Sequence, residues 1–478
     1  MSRSFNEEDA FNFALALSRY DVAAHRPHPP GYPVFVFIAS IPYLVTKNQL
    51  FSLTLVSALS GALTLIPTYA IAKRLFNREI AFFSSLALMV APGFWLTSEQ
   101  ALSNSLFTWL LTLALSQLLA GRGSRLYRFS SWGTLGVALG VRPFNLVFVA
   151  PFLLETVRAG KRDFIYCASL LLGTFSLGFL PAVLLTGYNQ YLNAVLDQLT
   201  HHLRYDVSPF GLSGVDRFIV LLLTLMNGLG ANLPNRIVRF DPFVSNSPYA
   251  WVNVVLVISF CVAGVIFVRR VQDFSSVPFL LSWVLPYSAF VYLLGTPGYT
   301  RYMLPLLPPV LILLVASAFH AVSFLRSSRL NRSSVKHLRT AVRYGMVMLF
   351  IVSMFACSLP LATMIHTELP PNVQLAVFVR ENYDPSTTTI IVLHEFRAFQ
   401  FYAGEFRYVQ CCYDAQKALG IIHSYYNSSN SILITSSALV ALQNRGIVLH
   451  VVKVVEYFRS PLVKVEDYRV ILYRIIQE

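Results

Sequence analysis

Charge is what this sequence has least of. Only 13% of its 478 residues are Asp, Glu, Lys or Arg, against 55% that are hydrophobic; soluble domains run nearer 25% charged. Such a chain is not a soluble enzyme, and it is too apolar to be a disordered one. Acids are the scarcer sign, 23 against 37 Lys plus Arg, which leaves a formal charge of +14. In a soluble protein that excess would suggest nucleic acid. Here its first use is to orient loops at the cytoplasmic leaflet, and no nucleic-acid partner is expected. Cysteine is also sparse. Cys167, Cys261 and Cys357 lie in apolar runs, and Cys411 and Cys412 are neighbours with poor geometry for bridging each other. That excludes a disulfide scaffold, and no metal-ligand spacing is present. A secretory leader is missing from the start, where polar residues run from Ser2 to Asp9.

What is present is a series of apolar runs. Stretches of roughly 17–25 residues mark spanning helices, and they fall at about 50–72, 80–96, 104–120, 164–187, 248–268, 277–295, 302–325 and 342–365. The run 130–154 is broken at Arg142-Pro143 and reads as two short helices in a hairpin. Residues 33–45 are too short to span comfortably and read as an interfacial or re-entrant helix. The run 217–233 could span or lie re-entrant.

Charge orders these spans. Basic clusters occur at Lys73/Arg74/Arg78, Arg122/Arg125/Arg128, Arg158/Lys161/Arg162, Arg269/Arg270 and Arg326/Arg329/Arg332/Lys336/Arg339. All five are cytoplasmic together only if 33–45 and 217–233 do not cross and 130–154 is a hairpin. Residues 1–49, 97–103, 188–247, 296–301 and 366–478 then lie outside. The expected organisation is a first external loop at 1–49, a helical bundle at 50–365 and a separate domain at 366–478. Strand-like runs at 388–394, 407–412, 431–435, 447–455 and 468–474 alternate there with helical patterns such as Asp414–Tyr426. That alternation predicts a small α/β domain with a partly parallel sheet. No Gly-rich phosphate loop follows its strands. The fold class is thus a polytopic α-helical membrane protein with a C-terminal soluble α/β domain.

Polar and proline residues concentrate in the outward loops. Ser4 and Glu7 have capping-box spacing, predicting a helix from about Phe5 to Arg19. Asp9, Asn12, Phe13 and Ala16 would share one face of it. After it, His28-Pro29-Pro30-Gly31-Tyr32-Pro33 is stiff and cannot be helical throughout. A surface helix with solvated acids and a rigid elbow would account for both without any chemistry.

The order of these pieces resembles the GT-C glycosyltransferases, a superfamily that includes polyprenyl-phosphate-dependent protein mannosyltransferases and lipid A aminoarabinose transferases. An acid opening a helix, then Tyr20-Asp21, then PHPPGYP, is similar to their first external loop. PGFWLTSEQALSN, from Pro92 to Asn104, is similar to their second. GVALGVRPFNLVFVAP, from Gly136 to Pro151, resembles their Gly- and Arg-bearing hairpin, and TRYMLPLLPP, from Thr300 to Pro309, their late RY-x-x-P helix. The resemblance implies inverting transfer from a polyprenyl-phosphate-linked sugar to a hydroxyl of a protein, lipid or glycan acceptor. It makes Asp9 the general base, a role suited to a carboxylate. A second loop acid would support it; Asn104 stands at that position, leaving Glu99 as the nearest acid, with Asp21 a third candidate. Arg142 and Arg301 would face the lipid phosphate, with Tyr302 beside them, since developing charge there calls for fixed cations. Each also has a plainer reading, snorkelling or carboxylate pairing for Arg142 and an interfacial anchor for Arg301. His25 and His28 would line the acceptor pocket, where a solvated loop His is the plain alternative; His201, His202 and Arg204 are weaker candidates. Only some GT-C branches use a divalent cation, and no cluster here demands one.

Broken helices and intramembrane Arg would also serve a transporter or flippase for a lipid-linked or small anionic solute. Transporters often show repeated halves, of which the sequence has none, and rarely carry a large outer domain. A non-catalytic membrane scaffold would explain the soluble domain but not the Pro-rich first loop. The sequon Asn427-Ser428-Ser429 matters only in a glycosylating secretory route. Short loops and the lack of eukaryotic targeting favour a bacterial plasma membrane with the active site outside. GT-C proteins of this kind carry a spanning helix before the first external loop, whereas Met1 lies inside that loop; the expectation is a true start upstream, the alternative being a lost first helix.

Overall fold

The computed structural model describes residues 2–156, 160–202, 214–231, 248–270, 276–295, 298–321, 332–410, 419–420, 422–424, 431–458 and 469–476. Arg158, Arg204, Arg326, Arg329, Cys411, Cys412, the sequon at 427–429 and most of the helix expected at 414–426 lie outside the described residues.

The chain opens with α1 (Glu8–Ser18), a tight loop, and α2 (Pro33–Thr46). The expected capping box does not form. Glu7 is the N-cap but caps nothing, because its carboxylate is engaged elsewhere, and the Ser4 hydroxyl is buried inside the fold. Asn12, Phe13 and Ala16 are buried on the predicted face. Along α2, Phe35 and Ala39 are buried while Phe37, Ile41, Leu44 and Val45 are exposed, the two-sided pattern of a helix lying at an interface.

The bundle follows with α3 (Gln49–Leu75), α4 (Arg78–Val90), α5 (Pro92–Ser98), α6 (Asn104–Ala120) and α7 (Arg125–Val141). Asn48 caps α3 and Asn77 caps α4, each accepting from a backbone N–H three residues on, at 2.9 Å. Pro92 takes the first helical position of α5, and Ala91 before it is extended, so α4 and α5 meet at 59°. Pro143 likewise stops α7 at Arg142. A 3-10 turn, Pro143–Phe148, then leads into α8 (Val149–Thr156). Trp132 of α7 donates to Thr156 Oγ1 at 2.9 Å and packs on Phe152, so α8 returns along α7 as the predicted hairpin.

Next come α9 (Lys161–Thr186), α10 (Tyr188–His201), α11 (Gly214–Gly228), α12 (Tyr249–Arg270), α13 (Ser276–Leu293), a 3-10 helix at Thr300–Leu306, α14 (Leu307–Ala321) and α15 (Arg332–Thr367). Among the described residues five helices are long and apolar enough to cross a membrane, or six if the bent α4–α5 pair is one span. The expected spans 104–120 and 248–268 are both helices, but their apolar stretches are shorter. Part of the expected outer loop 188–216 is helical as α10. Helix α7 meets α9 at Gly136, where a Cβ would lie 2.6 Å from the Leu171 carbonyl oxygen; any side chain there would drive the two helices apart.

The two ends of the bundle differ in charge. At one, Leu75 O accepts from Ser276, Arg122 lies over Phe279 and pairs with Glu155, Arg128 pairs with Asp163, and Arg343 pairs with Glu79. The described basic loops therefore gather together. Asp9, Glu99, Arg142 and Arg301 occupy the other end. Helix α11 lies across this second end, since Arg217 donates to the Tyr292 and Gly295 carbonyls and Gly228 abuts Gly93. With 15 residues it is about 22 Å long, short of a hydrocarbon core of about 30 Å.

The C-terminal domain sits on that same end. It comprises α16 (Pro371–Asn382), β1 (Thr388–Val392), α17 (Phe396–Tyr402), β2 (Arg407–Gln410), β3 (Ser431–Thr435), α18 (Ser436–Gln443), β4 (Val451–Phe458) and β5 (Arg469–Ile475). The sheet order is β2-β1-β3-β5-β4, with β1 parallel to β2 and β3 and the other pairs antiparallel. This is the partly parallel sheet expected; the largest shift is in β4, which begins at Val451 rather than at 447. Ile390, Val392 and Leu433 pack under α16 and α17, while Ile391, Ile432 and Ile434 face α18. Buried on both faces, these strands read as continuous apolar runs. Glu395, 3% exposed, joins the ends of β1 and β3 by accepting from Thr435 Oγ1 at 3.0 Å and Ser437 Oγ at 2.7 Å.

Candidate active site

Four segments meet at the acidic start of α1. Asp9 Oδ2 lies 3.1 Å from Arg301, whose guanidinium also pairs with Glu7. Arg301 is brought there by the 3-10 turn before α14, where Pro305 and the short run keep the backbone from entering a full helix early. Asn104 Nδ2 donates to the Arg301 carbonyl at 2.9 Å, and the Tyr287 hydroxyl to that of Tyr302 at 3.0 Å. The guanidinium lies over the rings of Tyr299 and Tyr302, with centroids at 4.7 and 5.4 Å. Planar, permanently charged and stacked, it can meet two carboxylates where a lysine could not.

The stiff loop supplies the next part. Asp21 and Arg26 exchange backbone hydrogen bonds, which folds the loop back, and Tyr20 donates to the Gly31 carbonyl at 2.8 Å. Gly31 has φ +101°, and a Cβ there would lie 2.5 Å from the Tyr20 hydroxyl. His28 is thereby held with Nδ1 at 3.6 Å from Asp9 Oδ1 and Nε2 at 3.0 Å from the Tyr32 hydroxyl. Burial pushes the His28 pKa down, with Arg142 and Arg397 acting in the same direction and Asp9 against them. At neutral pH the ring is therefore uncharged, hydrogen-bonded to Tyr32 through Nε2, while the buried Nδ1 faces Asp9 beyond hydrogen-bond distance.

Arg142, at the break of the hairpin, completes the group. Its guanidinium lies 5.8 Å from the Tyr32 ring and 5.6 Å from the Tyr302 ring, and it donates to Ser103 Oγ at 3.3 Å. Among the described residues no carboxylate forms an ion pair with it. The end of the bundle thus offers an Asp carboxylate fixed by one arginine and, across two tyrosine rings, a second arginine without an anion.

Five of the predicted residues, Asp9, His28, Arg142, Arg301 and Tyr302, come together. Two do not. Glu99 accepts from Trp95 Nε1 and pairs with His366 Nε2, both at 2.7 Å, so its carboxylate ties α5 to α15. Asp21 accepts from Ala24 N at 3.2 Å and lies 4.0 Å from Arg19, holding its own turn. His25 stands nearby at φ +55°. Sequence reasoning missed Glu7, Tyr32 and Tyr299. The acidic run Glu7-Glu8-Asp9 and the tyrosines flanking Thr300-Arg301 were the available signals. Among the described residues no group of three or more His, Cys, Asp and Glu side chains is arranged to hold a metal ion.

Comparison with known proteins bears on this arrangement. Residues 27–179, which include the stiff loop and Arg142, match the family described as dolichyl-phosphate-mannose-protein mannosyltransferase. The ArnT of Cupriavidus metallidurans, solved bound to undecaprenyl phosphate, is similar over 99% of this chain and 94% of its own, with a TM-score of 0.59 at 14% identity. The chain has the GT-C glycosyltransferase fold. A second GT-C structure, the Archaeoglobus fulgidus oligosaccharyltransferase tethered to an acceptor peptide, gives a TM-score of 0.53 at 14% identity, covering 91% of this chain and 65% of that one. The archaeal oligosaccharyltransferase AglB from the same organism, in complex with an inhibitory peptide and dolichol-phosphate, gives 0.52 at 14% identity, covering 90% and 65%. No curated protein matches the chain in sequence. The likeness to ArnT extends over both the helical bundle and the C-terminal α/β domain.

Proposed function

We propose that this protein is an integral-membrane glycosyltransferase that moves one sugar from a polyprenyl-phosphate donor to an acceptor hydroxyl, with inversion. The observation that carries the reading is the pairing of a fixed carboxylate, Asp9, with an arginine lacking an anion, Arg142, at the end of the bundle where its helices break. Asp9 accepts the proton as the acceptor oxygen attacks the anomeric carbon; the bond to the phosphate oxygen breaks on the opposite face, and the lipid phosphate leaves as an anion. Arg142 and Arg301 stabilise that anion. Cations already in place need no reorganisation during the reaction, which makes such electrostatic terms large. Tyr302 lies between the two arginines, and the uncharged His28 adds no cation to the Asp9 side of the site. Two structural relatives support the choice of donor, since ArnT was solved bound to undecaprenyl phosphate and the oligosaccharyltransferase AglB with dolichol-phosphate.

Positive loops favour the cytoplasmic side, so the site, at the opposite end, opens outward, in our reading from a bacterial plasma membrane. Glu99 and Asp21 act through structure rather than as base or ligand. The acceptor is a protein, lipid or glycan hydroxyl.

The test is transfer of label from radiolabelled polyprenyl-phosphate hexoses and pentoses to membrane extract by the purified protein and its Asp9→Asn variant. General-base loss costs about 10²–10⁴ in rate. Full activity in Asp9→Asn would sink the base assignment. Donor that binds but is never consumed by the wild type would favour the transporter or flippase reading.

A further inference from the structure

Glu7, Glu8 and Asp9 place three carboxylates in succession at the start of α1, Glu7 on the extended N-cap and Glu8 and Asp9 on the helix, where successive residues point about 100° apart. One guanidinium cannot meet all three. Arg301, from the bundle, takes Glu7 and Asp9. Glu8 points elsewhere, toward Arg397, whose Nε lies 3.9 Å from its Oε1. Arg397 belongs to α17 of the C-terminal domain. Its side chain is only 11% exposed, and its head is pinned by donation to Gln400 Oε1 at 2.6 Å. Four and five residues further along, Phe401 and Tyr402 pack on the rings of Phe5 and Phe11, each 1% exposed. The helix that carries Asp9 is therefore gripped on one side by the bundle and on the other by the domain.

We propose that Arg397 is a positioning residue for Asp9: by taking Glu8 it leaves Arg301 to Glu7 and Asp9, so that the C-terminal domain completes the site. The proposal rests on Asp9 being the base. Without Arg397, Glu8 is left beside the Asp9 carboxylate with no guanidinium opposite it, and the repulsion rotates the first turn of α1 away from the orientation in which Arg301 meets Glu7 and Asp9. Glu8 is 60% exposed, and so exposed a pair adds little to folding. The consequence falls on orientation instead, where a misplacement of about 1 Å costs up to about 100-fold in rate.

The experiment uses the full chain in lipid nanodiscs, with Arg397→Gln and the double variant Glu8→Gln/Arg397→Gln. Arg397→Gln lowers kcat about 10- to 100-fold and leaves the KM for a polyprenyl-phosphate hexose within about 2-fold, a split a merely destabilised protein would not show. The double variant recovers most of the rate, because the charge that Arg397 answers is gone. Wild-type kcat in Arg397→Gln overturns the proposal, and so does a double variant as slow as the single one. Hydrogen exchange of the α1 amides gives a readout that needs no donor: faster in Arg397→Gln, restored in the double. Restored exchange in a protein that transfers no sugar sinks the Asp9 reading and keeps the clamp. Exchange that does not change in Arg397→Gln sinks the clamp itself.

Discussion

The two ends of the bundle handle arginine in opposite ways. At the basic end cations outnumber or match their partners: Arg122 has Glu155, Arg343 has Glu79, and Arg125 and Arg128 share Asp163. At the other end Glu7 and Asp9 share Arg301, while Arg142 has aromatic faces and a hydroxyl. The first arrangement closes helix ends and is complete without a ligand. The second has a carboxylate and an arginine held apart by tyrosines, each with capacity left for a substrate. The difference teaches that an arginine near the membrane boundary is informative through what it lacks as well as through its position.

Variants at the two ends should separate sharply. Arg301→Gln leaves Glu7, 12% exposed, and Asp9, 29% exposed, as neighbouring carboxylates without a cation; breaking a buried pair costs on the order of 3–5 kcal/mol, and the part-exposed Asp9 puts the expected loss toward the lower end. Thermal unfolding in detergent should show that loss, and transfer should vanish with it. Arg128→Gln, at the opposite end, weakens the hold on Asp163, whose side chain is 6% exposed but keeps Arg125 at 3.4 Å. The expected cost is about 1–3 kcal/mol, read by the same melt, with transfer per folded molecule unchanged. Lost transfer in Arg128→Gln would mean that the two ends are coupled.

A smaller effect is expected from pH. Burial lowers the His25 pKa to about 4, helped by Arg397, His28 and His201. An unfolded histidine takes its proton near 6.5, the folded one only near 4, so between these values the unfolded state binds more protons. Stability is therefore full above about 6.5 and declines as the pH falls toward about 4. His25→Asn, which tolerates the left-handed backbone at this position, should flatten that slope in melts between pH 7.5 and 4.5. Arg122→Gln should do least. Its pair with Glu155 is half in solvent on the arginine side, and such pairs contribute about 1 kcal/mol or less.

Much of the fold is legible along the chain because membranes leave few ways to satisfy a backbone. The hairpin at 130–154 follows from Arg142-Pro143, and α2 as a short apolar helix from its opening Pro33 and its length. The sheet is legible for a related reason, since strands covered on both faces stand out as short apolar runs between polar turns. Asp9, His28, Arg142 and Arg301 are each recognisable locally, by an acid opening a helix, a stiff proline loop and cations next to prolines. Glu99 is not. Nothing near it announces His366, which lies 267 residues away and reaches it only once α5 and α15 are side by side. The failure of the capping box has the same origin. Ser4 and Glu7 have the right spacing, but Arg301 offers Glu7 a full charge, a stronger attraction than a backbone N–H.

The hold on Arg301 has a practical side. Asn104 grips that residue by its carbonyl oxygen, a group every amino acid carries, and Tyr287 does the same for Tyr302. The turn that presents the guanidinium is thus indifferent to which side chain it presents. Exchange of Arg301 for glutamine removes neither of these two main-chain hydrogen bonds. The loss expected from that exchange is thus assignable to Glu7 and Asp9 left without their shared cation, rather than to a turn that has come apart.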